Sequence, residues 1–182
     1  MIDEAALSTL ARWQNFYVIV GSSAGALTGL QFVVMTLTAE AHMSSMRAVR
    51  AFGSPTVVHF CVALLISAIA SCPWHTLFAA ALALSSCGIG GFAYSLTAIG
   101  HARKQTAYQP DREDWMWYGW LPVVAYASLT LAGLLLMRNP TLGLFLVAAL
   151  SLVLLFLGIH NSWDSVTYMA VNRPGKSHGE KE

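Results

Sequence analysis

His59, His101, His160, Asn161 and Asp164 are the residues of this chain whose types and spacing could do chemistry. Histidine changes its charge closest to neutral pH, and a carboxylate beside it can hold a cation or steady the protonated ring. His160 and Asp164 are four residues apart, so a helix projects both from one face, with Asn161 and Thr167 close by. The chemistry they suggest is the uptake of a proton or small cation. The plainer reading is that interfacial histidines are simply hydrated. A second constellation is Gly21-x3-Gly25-x3-Gly29, which stacks three glycines on one helix face. Thr28, Gln31 and Thr36 share that half of the helix. Such a face lets another helix approach closely, either from the same chain or from a second copy, and in the latter case it could line a pore.

Other chemistries have thinner support. Cys72-x2-His75 has a ligand-like spacing, but two ligands make a poor metal site. HxxxH and CxxC spacings are missing, as are a nucleophile arrangement, a phosphate-binding glycine loop and a carboxylate dyad. The expectation is therefore no cofactor and no metal, with an enzymatic activity disfavoured and a haem or metal redox role the least supported option. Cys61, Cys72 and Cys87 should sit at depths too different for a disulfide.

The elements that must position these residues are membrane helices. A hydrophobic fraction of 56% with 10% charged residues lies outside the range of ordinary soluble domains. Segments 13–39, 51–102, 115–137 and 139–163 carry no Lys, Arg, Asp or Glu, and Arg138 alone separates the last two. About 20 apolar residues cross a bilayer, so the second segment holds two spans, with the turn at Cys72-Pro73-Trp74. Five helices follow: 13–37, 54–71, 75–99, one opening at the Trp115, Trp117, Tyr118 and Trp120 belt, and 141–171. Residues 5–14 read as a helical lead-in continuous with the first span. Residues 40–53 read as an amphipathic connector, with Met46, Val49 and Phe52 on one face. Pro110-Asp111 and Asp114 resemble a cap for the fourth helix, which Pro122 should bend. Small residues mark two further seams: His59, Ala63, Ser67 and Ala70 on the second helix, and Ser86-x3-Gly90 with Cys87-x3-Gly91 on the third. The fold class is thus an all-α, five-span membrane bundle over residues 1–172, with a disordered tail at 173–182.

Charge sets the orientation. Of the ten Lys and Arg residues, Arg12 and Arg138 fall on one side of the spans and the other eight on the opposite side. The positive-inside rule then places the amino terminus outside and the carboxyl terminus in the cytoplasm. The acidic Met1-Ile2-Asp3-Glu4 start is unlike a cleaved signal peptide. Basic residues that flank spans need no nucleic-acid partner to explain them.

Asn15-Phe16-Tyr17-Val18, followed by Gly21, Ala24, Ala26-Leu27, Gly29-Leu30 and Phe32-Val33, resembles the first helix of a family of small bacterial five-helix membrane proteins. Asn161-Ser162-Trp163 resembles that family's Asn-x-Trp element in helix 5, while the middle of the chain resembles it only in hydropathy. The resemblance implies the five-helix fold, and some members carry the label of protease modulator. His160 and Asp164 depart from the family's pattern. The expectation is a multi-pass protein of a bacterial inner membrane, bound by lipid and homo-oligomeric, acting as an ion channel or transporter. The alternative is a helper that packs against a larger membrane protein.

Overall fold

A computed structural model describes residues 9–40, 54–104 and 112–171, and all of the regular structure in them is helical. Five helices are long and apolar enough to cross a membrane. They are α1 (Gln14–Glu40), α2 (Ser54–Ser71), α3 (Leu77–Lys104), α4 (Arg112–Leu136) and α5 (Pro140–Val171). The expected five-helix bundle is what forms. The connector at 41–53, the Pro110-Asp111 cap and the tail beyond 172 lie outside the described residues.

Local chemistry explains the boundaries. α2 opens at Ser54-Pro55, where proline costs no helical hydrogen bond. It ends at the expected Cys72-Pro73-Trp74 turn, where the Trp74 indole donates to the Ile69 carbonyl at 2.6 Å. Asn139 accepts the Leu142 amide proton through Oδ1 at 3.1 Å, a side-chain cap that starts α5. The lead-in is not continuous with α1. Helical residues 9–11 give way to a turn at 12–13, and Arg12 and Trp13 donate to carbonyls only three residues back. Trp13 is then free to set its ring edge-on to Phe145 of α5, 4.7 Å between centroids.

α4 begins earlier than the aromatic belt and is not uniform. Trp115–Trp120 is a π-helical stretch, in which the Leu121 amide reaches back five residues to the Met116 carbonyl. Pro122 supplies the cause. It has no N–H for the Tyr118 carbonyl, and its ring would press on that carbonyl in a regular α-turn. One widened turn relieves the crowding. A bend is what the sequence led one to expect at Pro122; what the helix shows is this π-helical stretch just ahead of it.

α5 is central, packing against α1, α2 and α4, and its spanning window has the highest mean hydropathy, 2.8. α3 packs chiefly on α4, and α1 chiefly on α2. Only 22% of the spanning window of α1 is buried, against 50% for α5, so α1 is the peripheral helix. Large apolar side chains such as Leu131 and Phe156 lie on the outside while His59, Gln31 and Asn161 lie within. That inversion suits a multi-pass membrane protein, whose solvent is hydrocarbon.

Two ends of the bundle can be distinguished. The turn end carries the two tight turns at Cys72–Trp74 and Arg138–Asn139, together with Trp13. The far end is where α1, α3 and α5 finish and α2 and α4 start.

Candidate functional site

Hydroxyls in this bundle mostly satisfy themselves. Thr28, Ser67, Ser95 and Thr130 each donate to the carbonyl four residues back, and Ser151 to the one three back. This back-bonding is the ordinary way to carry a small polar residue in an apolar helix. Imidazole and amide groups carry more polar positions than one such back-bond can satisfy. Where they are buried, as His59, Gln31 and Asn161 are in the far half of the bundle, they need partners beyond their own helix.

His59 is buried, with 1% of its surface exposed. Its Nδ1 lies 2.8 Å from the Tyr126 hydroxyl of α4, and the rings pack 5.7 Å apart. Its Nε2 is buried without a hydrogen-bond partner. Tyr126 is fully enclosed and fits because Gly91 of α3 has no side chain: a Cβ there would run into the phenol ring. A helical side chain leans toward its own amino terminus, so the phenol of α4 reaches toward the far end.

The π segment delivers two consecutive aromatics to α5. The Trp117 ring stacks on His160 at 3.7 Å and 11° between planes. The Tyr118 hydroxyl donates toward Asp164 Oδ2 at 3.0 Å and the Asn161 carbonyl at 3.1 Å. His160 and Asp164 do share a face, as their spacing requires, but each is held by its own residue of α4. Asp164 is exposed, whereas His160 keeps a buried Nδ1 that has no partner. Asn161 is entirely buried, and neither Nδ2 nor Oδ1 of its side chain makes a hydrogen bond. On the third side, Ser162 donates to Gln31 Oε1 of α1 at 2.9 Å. His101 stands apart from this group. It is exposed, and its Nδ1 lies 2.8 Å from the Thr97 carbonyl of its own helix.

The glycine face of α1 divides. Gly21 is buried, and a Cβ there would come within 2.9 Å of Ser67 Cβ on α2. Among the described residues, a Cβ at Gly25 or Gly29 would meet nothing within 4 Å. Thr28 is half-buried, Gln31 is buried on Ser162, and Thr36 is exposed and bonds the Phe32 carbonyl. The face expected to act as one groove therefore seats α2 at Gly21 and meets α5 through Gln31, and among the described residues it is open at Gly25 and Gly29. On α3 the working seam is Ser85, Gly88 and Gly91, set against Thr130, Tyr126 and Gly133. Ser86 and Gly90, which the spacing had put in the seam, face outward. The α2 seam of His59, Ala63, Ser67 and Ala70 is buried throughout.

One signal went unread in the sequence, and another was read only as a bend. Tyr126 is a phenol in an apolar helix and needs a partner for its hydroxyl. Pro122, ten residues into α4, also implies a changed hydrogen-bond register just ahead of it. Among the described residues, no three His, Cys, Asp or Glu side chains gather as metal ligands would. Cys61, Cys72 and Cys87 are free thiols. The chain matches no protein-family model, no curated protein and no solved structure.

Proposed function

We propose that this protein is a small homo-oligomeric channel or transporter for protons or small cations in a bacterial inner membrane, with its far end toward the cytoplasm. The observation that carries the reading is the cluster of polar groups in that half of an otherwise apolar bundle. His59 and Asn161 are enclosed with polar atoms unspent, and Asp164 stands exposed beside them. Ionisable groups within membrane helices are costly, and those that persist mark ion or proton paths more often than packing. Asp164 would be the entry carboxylate, held in place by the Tyr118 hydroxyl. The open Gly25 and Gly29 face of α1 supplies the surface for self-association.

That same open face also favours a second reading, a helper that packs α1 against a larger membrane protein. Flux separates the two. Purified protein in liposomes, with a pH-sensitive dye inside and a panel of monovalent cations outside, should dissipate an imposed gradient. Asp164→Asn keeps the side-chain size and removes the charge, so it should slow that flux several-fold while the fold is retained. Wild-type protein that moves no ion leaves the helper role. A fully active variant would remove Asp164 from the path.

A further inference from the structure

The unspent polar atoms of His59 and Asn161 lie on helices that face each other. Gly158 of α5 packs against the Phe60 ring of α2, so the residue three positions beyond Gly158 and the residue just before Phe60 flank one contact. α2 and α5 run in opposite directions at this contact. Helical side chains lean toward their amino termini, which sends the His59 ring toward the far end and the Asn161 amide away from it. The two side chains therefore converge from within about one turn of each other, roughly 5 Å along the axis. Neither makes the contact directly: His59 Nε2, Asn161 Nδ2 and Asn161 Oδ1 all lack partners.

We infer that His59 and Asn161 together hold a buried water between α2 and α5. The chemistry fits one molecule that both donates and accepts. If the Tyr126 hydroxyl donates to His59 Nδ1, then Nε2 carries the ring proton and needs an acceptor. If Nδ1 carries it, Nε2 needs a donor. Water meets either requirement, while the amide offers it one donor and one acceptor in return. Three polar contacts are what a buried water ordinarily makes. An enclosed amide with neither its donor nor its acceptor satisfied is strongly unfavourable, and a water relieves both. The Tyr17 hydroxyl, buried and also without a partner, is a single atom and gives no such pairing.

The inference rests on packing and not on conduction, so it stands or falls separately from the flux reading. Solid-state NMR of histidine-labelled protein in lipid vesicles can measure magnetisation transfer from water to each imidazole. The His59 signal is identified by its loss in His59→Asn, which keeps a polar atom for Tyr126 and removes Nε2. His59 should receive magnetisation from water nearly as fast as the exposed His101. Transfer as slow as to the dry apolar core would overturn the inference without any variant. Asn161→Leu then adds a second reading. With water present, the variant should lower the melting temperature and cut transfer to His59 several-fold. With a dry site, the leucine would remove an unsatisfied amide and raise the melting temperature, and that result would also overturn the inference. In a double-mutant cycle, His59→Asn and Asn161→Leu should be non-additive, and strict additivity would count against a shared water.

Discussion

Two stretches of this molecule use glycine at nearly the same spacing, and they end in opposite states. On α3, Gly88 and Gly91 lie under Thr130 and Tyr126 of α4, and Gly133 returns the contact against Ser85. On α1, Gly21 is closed by Ser67, while Gly25 and Gly29 stand open. The difference teaches that small residues specify permission for close approach, and the facing helix decides whether it is used. α4 presents a large ring and a small residue in alternation, which complements α3 along its length. α2 presents Ser67 and Leu64 to Gly21 of α1; beyond that contact Gly25 and Gly29 meet nothing among the described residues, while Gln31 reaches Ser162 of α5.

Closing α3 should produce the largest loss. In Gly91→Leu even the Cβ would overlap Tyr126, and that ring is enclosed and held to His59. The ring cannot step aside without giving up this bond, so the cost should reach the upper end of overpacking, about 3 kcal/mol. Reversible unfolding in mixed micelles would read it. An unchanged midpoint would mean that α3 and α4 separate easily and that the contrast with α1 is false.

Gly21→Leu should cost less, about 1–2 kcal/mol, because the neighbour is the small Ser67 side chain rather than a fixed ring. Since a Cβ alone already meets Ser67 Cβ at 2.9 Å, Gly21→Ala should also lose stability, and adding Ser67→Gly should recover most of that smaller loss. Failure of that rescue would point to backbone crowding at this crossing.

How far the sequence foretold this arrangement depends on which kind of physics each feature obeys. Helix number, the Cys72-Pro73-Trp74 turn and the buried α2 seam are local, set by hydropathy, proline and small-residue periodicity, and all were legible. On α3, Cys87-x3-Gly91 put Gly91 in the seam, but Ser86-x3-Gly90 fell one residue off it, because Ser86 with Gly90 and Ser85 with Gly88 are equally good patterns on α3 alone. Only Gly133 and Thr130, on another helix, distinguish them. The same limit governed the site. Spacing put His160 and Asp164 on one face and suggested a mutual pair, but the partners that hold them, Trp117 and Tyr118, arrive through a π turn. That turn exists because Pro122 forbids the regular hydrogen bond, a consequence readable only by asking where the Tyr118 carbonyl would point. The His59 and Tyr126 contact joins helices 67 positions apart, and no periodicity within either one reports it.

The smallest expected effect on the isolated chain is also the one that bears most on the comparison. Gly29→Leu places a side chain where nothing among the described residues lies within 4 Å, so overpacking has no origin in them. Replacing a helical glycine also recovers helix propensity, about 1 kcal/mol in a water-exposed helix interior and less where lipid already favours the helix. Unfolding of monomeric protein should therefore be unchanged or slightly improved. If α1 faces hydrocarbon, the added leucine is simply more apolar surface, and every other property should match wild type. If α1 meets a second copy through Gly25 and Gly29, the leucine separates two backbones that were in close contact. Crosslinking or mass measurement in lipid should then show wild-type oligomers and variant monomers of intact stability. Loss of assembly with the monomer preserved is an outcome that Gly91→Leu cannot give, because that substitution damages the chain before copies meet. A destabilised Gly29→Leu monomer would break the comparison from the other side, since it would require a neighbour for Gly29 within the same chain.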